Sequence, residues 1–176
     1  MRIYLIGYSY SGKTTMGKLL AHRLGYHFFD TDKAIELKYR TTIDMFFERY
    51  GEKAFRIIER QMLWTTAEMD DVVISTGGGT SCNDENIDFI LRHGLSVYME
   101  MSVDQILQRI AKARRGRPAL KGLDEAQRRE FISHQLAQRE VFYRQANLTV
   151  QAMDLTPDLL IQHLTQSGII APSENR

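Results

Sequence analysis

One loop near the start of the chain constrains the fold more than any other part of the sequence. The segment Gly7-Tyr-Ser-Tyr-Ser-Gly12-Lys13-Thr14 matches the pattern G-x-x-x-x-G-K-[ST] without a mismatch. The β-rich run RIYLI precedes it, and a stretch with helical periodicity follows it. In this strand–loop–helix context, backbone N–H groups converge on phosphate oxygens at the helix N-terminus. We therefore predict a nucleotide-binding loop rather than a chance glycine turn with an exposed lysine.

The residues of this loop have different predicted roles toward a nucleotide. Lys13 is placed to reach the β- and γ-phosphates, and the Thr14 hydroxyl is placed to hold Mg²⁺. Two loop positions carry bulky tyrosines, Tyr8 and Tyr10, whose side chains can point to solvent and so do not disable the loop. The predicted nucleotide contacts in this loop are Gly7, Ser9, Ser11, Gly12, Lys13, Thr14 and Thr15.

Strand-like and helix-like segments alternate along the rest of the chain. Helical periodicity after the loop places Met16, Leu19, Leu20 and Leu24 on one face. The alternation implies right-handed βαβ crossovers and a parallel sheet, whose ligands bind beyond the carboxyl ends of the strands. We predict an α/β fold, a three-layer αβα sandwich with five parallel strands over residues 2–6, 26–29, 72–75, 96–100 and 148–150.

The composition is that of one soluble globular domain. The chain has 176 residues, of which 43% are hydrophobic, and a net charge of +1. These values exclude a disordered chain and give no reason to expect bulk nucleic-acid binding. Apolar runs reach only four or five residues, whereas a membrane span needs about 20. The single cysteine, Cys82, excludes an internal disulfide and indicates a cytoplasmic protein. We predict one domain over residues 1–170, in a monomer, with a flexible tail at 171–176.

Two carboxylates, Asp30 and Asp32, follow the second predicted strand. On an extended segment, residues i and i+2 point to the same side. One carboxylate could order Mg²⁺ and its waters, while the other accepts a proton from an attacking hydroxyl or orients it. The structural alternative is that one of them caps the helix beginning near Lys33. We expect capping to account for one aspartate but not for both.

Three consecutive glycines, Gly77, Gly78 and Gly79, follow the third predicted strand. A tight turn usually needs only one or two glycines, and three cost conformational entropy. Close approach of main-chain N–H groups to a ligand would explain the third. We therefore predict substrate contact at this loop.

Several arginines are candidates for binding anions. Arg56 and Arg139 each lie on a predicted helix and carry a planar fork that can hold a carboxylate or phosphate. A basic segment runs from Arg109 to Arg117, and we predict a mobile lid over about 112–123 that brings positive charge onto a transferring phosphoryl group. A solvated basic loop or a weak RNA-binding patch is the alternative for this segment.

The class of nucleotide protein is narrowed by motifs that the sequence lacks. Neither N-K-x-D nor D-x-x-G occurs in the chain, so a GTPase is not favoured. A motor or AAA-type ATPase would carry an acid at the end of a core strand, whereas VVIS is followed by Thr76 and the glycines. A small phosphotransferase remains.

The segments GYSYSGKT, DTD, FR, TGGG, RP and QREVFYR occur in this order and at these spacings. The set resembles the shikimate kinase family over about residues 1–150. This resemblance implies an ATP- and Mg²⁺-dependent enzyme that phosphorylates the 3-hydroxyl of shikimate in aromatic amino-acid biosynthesis. It also implies the nucleoside monophosphate kinase fold, with a substrate-binding segment over about 33–62.

The resemblance assigns roles to residues one by one. Lys13 and Thr14 take the phosphates and Mg²⁺, Asp30 lies near the metal, and Asp32 binds shikimate hydroxyls as the base. Arg56 and Arg139 bind the shikimate carboxylate. Further matches are Gly77, Gly78 and Gly79 lining the substrate site, Phe47 and Phe55 flanking the ring, and the lid arginine Arg117 on the phosphates. The last match, Arg109, lies near the family arginine that stacks on adenine, with a spacing that differs by one residue.

Two other classes of function stay open at this stage. One is another small-metabolite kinase on the same scaffold, such as a gluconate kinase. The other is a non-catalytic nucleotide-binding or regulatory domain, which would not need Asp32 or Arg117. A nucleoside monophosphate kinase is less favoured because the Asp-Gly-x-Pro-Arg segment of adenylate kinase-like enzymes is absent.

Overall fold

A five-stranded sheet organises the chain. The computed structural model describes residues 1–113, 120 and 122–168. All four strand pairings are parallel, and the strand order is β2-β3-β1-β4-β5. The predicted parallel α/β sandwich is thereby confirmed, with strand ends within one residue of those expected. The strands are β1 Arg2–Ile6, β2 His27–Asp30, β3 Val72–Ser75, β4 Leu95–Glu100 and β5 Leu148–Gln151.

Helices connect consecutive strands and flank the sheet. Side chains cap two of their N-termini: Ser102 and Gln105 form a reciprocal capping box, and Thr156 caps a helix that has Pro157 at its first position. A short 3-10 helix, Thr66–Glu68, precedes β3. The helices are α1 Lys13–Leu24, α2 Thr31–Tyr39, α3 Ile43–Thr65, α4 Asp84–His93, α5 Val103–Lys112, α6 Glu125–Tyr143 and α7 Pro157–Gln166.

The central strand β1 is buried on both faces. Its residues Ile3, Tyr4, Leu5 and Ile6 have no solvent exposure, as expected for an inner strand of a parallel sheet covered by helices. The loop that carries the glycine–lysine motif begins directly after this strand. A strand buried on both faces therefore anchors the phosphate-binding loop.

The buried face of α1 differs from the predicted one at Leu19. This side chain is 47% exposed, whereas Leu20 is fully buried. The helix turns its small residues Gly17 and Ala21 inward, and a Cβ at Gly17 would lie 2.6 Å from the ring of Phe28. Because α1 packs closely against the sheet through these small residues, Leu19 is rotated toward solvent.

The segment from α2 to α3 carries a second, smaller apolar cluster, built on Ile35, Phe46, Phe55 and Met62. Within α3 the backbone breaks at Gly51, where φ is 78°, a conformation that glycine adopts without steric cost. The helix ends at Thr65, and the 3-10 helix follows directly.

Two predicted segments fall wholly or partly outside the description. The structure does not describe residues 114–119 and 121 of the expected lid, which include Arg117. It also does not describe residues 169–176, which include the expected tail. In the described part of the chain, no helix is both long and apolar enough to cross a membrane.

The packing of α1 predicts very different costs for two adjacent substitutions. Leu20→Ala should lower the free energy of unfolding by about 2–5 kcal/mol, because it leaves a cavity in the main core. Leu19→Ala, one residue away on the same helix, should change it by less than about 1 kcal/mol. Urea unfolding followed by circular dichroism measures both, and equal losses would contradict the orientation of α1.

Candidate active site

The segments that follow β1, β2 and β3 meet at the carboxyl edge of the sheet. Asp30 at the end of β2 lies in register with Ser75 at the end of β3. The Thr14 hydroxyl, at the start of α1, lies 3.3 Å from the Ser75 hydroxyl. The phosphate-binding loop, the two aspartates and the triple glycine are thus brought together, as expected from the topology.

Lys13 closes the phosphate-binding loop from inside. Its ammonium group donates hydrogen bonds of 2.8 Å to the carbonyl oxygens of Gly7 and Tyr8, and it lies 3.4 Å from the Ser11 hydroxyl. Gly12 caps α1 with φ at 90°, which is why a glycine is required there. The loop therefore holds a buried cation at the point where the helix N-terminus favours anions.

Burial lowers the pKa of Lys13 to about 8, against an ordinary value of 10.5. The nearby carboxylates Asp32 and Asp30 act in the opposite direction and favour the charged form. A bound phosphate would do the same, because an adjacent negative charge stabilises the ammonium. The geometry therefore suits Lys13 as a phosphate ligand.

Asp30 has two structural contacts at the end of β2. One oxygen accepts a hydrogen bond from the backbone N–H of Lys33, which caps α2. The other accepts a 2.7 Å hydrogen bond from the Thr14 hydroxyl. The expectation that one aspartate serves as a helix cap is therefore confirmed.

The pair Thr14 and Asp30 also fits a magnesium ion. Mg²⁺ usually binds through one or two protein oxygens plus substrate phosphates and keeps several waters. A hydroxyl and a carboxylate oxygen, 2.7 Å apart at the mouth of the phosphate loop, match that donor set. Among the described residues there is no group of three His, Cys, Asp or Glu side chains that would form a complete protein cage.

Asp32 lies in the first turn of α2, not on an extended segment as predicted. The helix begins directly after Asp30 because Asp30 is its N-cap. Burial, together with the neighbouring carboxylates Glu59 and Asp30, raises the pKa of Asp32 to about 7 against the opposing effect of Lys13. A carboxyl group with this pKa exchanges protons near neutral pH, which suits a general base.

The triple glycine packs against side chains of the site. A Cβ on Gly77 would lie 2.6 Å from a carboxylate oxygen of Asp32. A Cβ on Gly79 would lie 2.8 Å from both terminal nitrogens of Arg56, and one on Gly78 would meet Ser9 at 2.5 Å. The glycines therefore leave room for functional side chains, and the contact of their main-chain N–H groups with substrate stays a prediction.

Arg56 is held by two glutamates on its own helix. It donates a 2.6 Å hydrogen bond to Glu59 and a 2.8 Å hydrogen bond to Glu52. Glu59 is only 1% exposed, and its other oxygen accepts a 2.8 Å hydrogen bond from the Thr80 hydroxyl. The guanidinium also lies over the Phe47 and Phe55 rings, at 5.9 and 5.6 Å from their centroids.

Arg139 reaches the same loop from α6. It donates a 3.2 Å hydrogen bond to the carbonyl oxygen of Gly78, which also accepts a hydrogen bond from the Tyr143 hydroxyl. Burial raises the pKa of Tyr143 well above its ordinary value, so this hydroxyl remains a donor. The two arginines thus approach adjacent glycines from different helices.

Arg109 lies on the other side of the phosphate loop. It donates hydrogen bonds of 3.1 Å to the carbonyl oxygens of Tyr10 and Ala152. It therefore joins the loop after β1 to the segment after β5, which is consistent with the predicted place beside a nucleotide. Arg117, the predicted lid arginine, lies outside the described residues.

The sequence reasoning missed three residues of this site and the burial of a fourth. Glu59, Thr80 and Tyr143 had no predicted role, and Tyr8, whose side chain was judged able to point to solvent, is 1% exposed. The position of Glu59, four residues after Phe55 on an apolar helix face, was a usable signal. A charge on a buried face needs a partner, and Arg56 three residues earlier provides it.

Comparison with known proteins decides the family. The shikimate kinase family model matches residues 10–167. A shikimate kinase from Parabacteroides distasonis is 42% identical over 151 residues, which cover 86% of this chain and 87% of that relative. The crystal structure of a shikimate kinase from Bacteroides thetaiotaomicron is 36% identical, with a TM-score of 0.89 over 97% of this chain and 99% of that one. The chain belongs to the shikimate kinase family. It is an ATP-dependent kinase, as expected from its sequence.

Two further solved structures differ in how similar they are to this chain. A shikimate kinase from Acinetobacter baumannii, solved in complex with shikimate, is 31% identical, with a TM-score of 0.81 over 99% of this chain and 95% of that one. A gluconokinase from Sinorhizobium meliloti is 16% identical, with a TM-score of 0.60. That lower likeness shows the shared fold alone, so the gluconate kinase alternative gains no support.

The raised pKa of Asp32 predicts a pH-dependent effect of Asp32→Asn on stability. Between the ordinary pKa of 3.8 and the folded value of about 7, the folded protein keeps a proton that the unfolded chain releases. The stabilisation that this proton gives to the folded state is therefore fully present below pH 3.8 and is lost as the pH rises through about 7. The free energy of unfolding of the neutral Asn variant should therefore exceed that of wild type by roughly 1–3 kcal/mol at pH 8 and by much less at about pH 4.

Urea unfolding of both proteins across this range measures the effect. Asp70→Asn is the matched control, because its side chain is 87% exposed. A difference between Asp32→Asn and wild type that stays constant with pH would contradict the raised pKa.

Proposed function

We propose that this site transfers the γ-phosphate of ATP to the 3-hydroxyl of shikimate, giving shikimate 3-phosphate and ADP. One observation carries the proposal: three consecutive glycines contact the proposed base and the two proposed carboxylate ligands. Gly77 packs against Asp32, Gly78 accepts a hydrogen bond from Arg139, and Gly79 packs against Arg56. An acceptor with a carboxylate at one end and a hydroxyl at the other matches this arrangement.

The chemical step follows from the charges at the carboxyl edge. The acceptor oxygen bonds to the γ-phosphorus, the bond between that phosphorus and the β,γ-bridging oxygen breaks, and ADP leaves. The hydroxyl proton passes to the Asp32 carboxylate, whose pKa of about 7 suits an acceptor of protons at neutral pH. Arg56 and Arg139 hold the shikimate carboxylate, which fixes the hydroxyl in line with the phosphate.

Phosphoryl transfer depends mainly on positioning and on stabilising negative charge. Lys13 binds the phosphate oxygens, and the loop residues Gly7, Ser9, Ser11, Gly12, Thr14 and Thr15 surround them. Held by Thr14 and Asp30, Mg²⁺ would neutralise phosphate charge when bound. The remaining roles proposed are Arg109 beside the adenine, Arg117 on the phosphates, and Phe47 and Phe55 flanking the shikimate ring.

The proposal extends to the organisation of the chain. Residues 1–170 form one kinase domain, and residues 33–62 make up its substrate-binding segment. We propose that the protein acts as a monomer in the cytoplasm and contributes to aromatic amino-acid biosynthesis. Its small-molecule partner is shikimate, with no nucleic-acid or membrane partner.

A substrate panel tests the proposed reaction. ADP release from ATP and Mg²⁺ is measured with shikimate, gluconate, quinate and AMP offered separately, for wild type and Asp32→Asn. We expect turnover with shikimate alone, and a kcat for Asp32→Asn lower by about 10²–10⁴-fold because the base is lost. The folded state of the variant is checked by circular dichroism.

Each of the other outcomes would reject a different part of the proposed function. Turnover with another acceptor but not shikimate would retain the scaffold and reject the substrate. ATP binding without turnover of any acceptor would favour a regulatory domain. Near-normal turnover of a folded Asp32→Asn would reject the role of Asp32.

A further inference from the structure

We infer that Tyr8 is a positioning residue that sets the orientation of Arg139 toward the carboxylate of the acceptor. The inference rests on the proposed function, because it concerns how one of the two carboxylate ligands is held. Tyr8 is the second residue of the phosphate-binding loop, and its side chain is buried rather than directed to solvent. Its hydroxyl donates a 2.6 Å hydrogen bond to the side-chain oxygen of Gln135 on α6.

The ring of Tyr8 lies against the Arg139 guanidinium. The central carbon of that group is 5.5 Å from the ring centroid, within the distance at which a ring face attracts a cation. Gln135 and Arg139 are four residues apart on α6 and therefore share a helix face. Tyr8 thus contacts this face through its hydroxyl and its ring, which fixes both the ring plane and the position of the guanidinium.

The two carboxylate-binding arginines are held in chemically different ways. Arg56 forms ion pairs with Glu52 and Glu59. Arg139, within the parts of the chain that the structure describes, forms no ion pair and contacts the Tyr8 ring and the Gly78 carbonyl oxygen. An aromatic face orients a guanidinium without neutralising its charge or occupying its N–H donors. Tyr8 therefore leaves Arg139 with its positive charge and donors available to an anionic acceptor.

The backbone of Tyr8 contacts the nucleotide side of the site. Its carbonyl oxygen accepts a hydrogen bond from Lys13 at 2.8 Å and one from the Ser11 backbone N–H at 3.2 Å. Substitution of the side chain leaves this carbonyl in place. A change at Tyr8 that acts through Arg139 should therefore affect the acceptor far more than ATP.

Steady-state kinetics of Tyr8→Leu and Tyr8→Phe test the inference. Tyr8→Leu removes the ring face and should raise KM for shikimate by about tenfold, a size that the loss of a cation–π contact supports. KM for ATP should change by less than about twofold. Tyr8→Phe keeps the ring and should remain within about threefold of wild type for both substrates, because only the hydroxyl is lost.

Two further readouts separate positioning from general damage to the loop. With shikimate methyl ester, which lacks the anionic charge, Tyr8→Leu should have little effect on KM. In an Arg139→Ala background, Tyr8→Leu should add less than about a twofold increase, because coupled residues are not additive. Equal effects on shikimate and its ester, additive effects with Arg139→Ala, or a matching rise in KM for ATP would each overturn the inference.

A shape-conserving variant covers the case in which Tyr8→Leu fails to fold. Pentafluorophenylalanine at position 8 keeps the ring size but removes the electron density that attracts a cation. It should raise KM for shikimate, whereas Tyr8→Phe should not, and equal values for the two rings would overturn the inference. Arg139→Ala alone is the reference, because an unchanged KM for shikimate there would reject the proposed carboxylate ligand rather than the role of Tyr8.

Discussion

The crowding of charged groups around the triple glycine is the constraint on which the site depends. Burial and the neighbouring carboxylate of Glu59 raise the pKa of Asp32, while Lys13 opposes them. An isolated carboxyl at the surface would be fully ionised at neutral pH and would be a weaker base. Such an unfavourable arrangement of charges is a common feature of active sites.

The sheet explains how such a crowded site is held in place. Phosphate-binding residues follow the buried central strand β1, and the two aspartates and the glycines follow β2 and β3. Arg56 and Arg139 come instead from α3 and α6, and they reach adjacent glycines. Since a Cβ at Gly77 or Gly79 would displace Asp32 or Arg56, the lack of side chains in this loop lets three elements converge.

Patterns confined to a few neighbouring residues were predictable from the sequence, whereas orientations set by distant elements were not. The phosphate-binding motif and the capping of α2 by one aspartate depend on local geometry, and both were expected correctly. Leu19 was misplaced because close packing of α1 through its small residues decides which face is buried. The burial of Tyr8 was missed because its partners lie on α6, more than 120 residues away. The helical conformation of Asp32 was missed because α2 begins at Thr31, directly after its cap Asp30.

The most direct test of this account is a nuclear magnetic resonance titration of the Asp32 carboxyl carbon. Protein labelled with ¹³C at its aspartate carboxyl groups would be titrated without ligands, and the Asp32 signal assigned by its loss in Asp32→Asn. The account predicts a pKa of about 7 for Asp32. A pKa near its ordinary value of 3.8 would contradict it, because the crowding of charge around the glycine loop would then not exist.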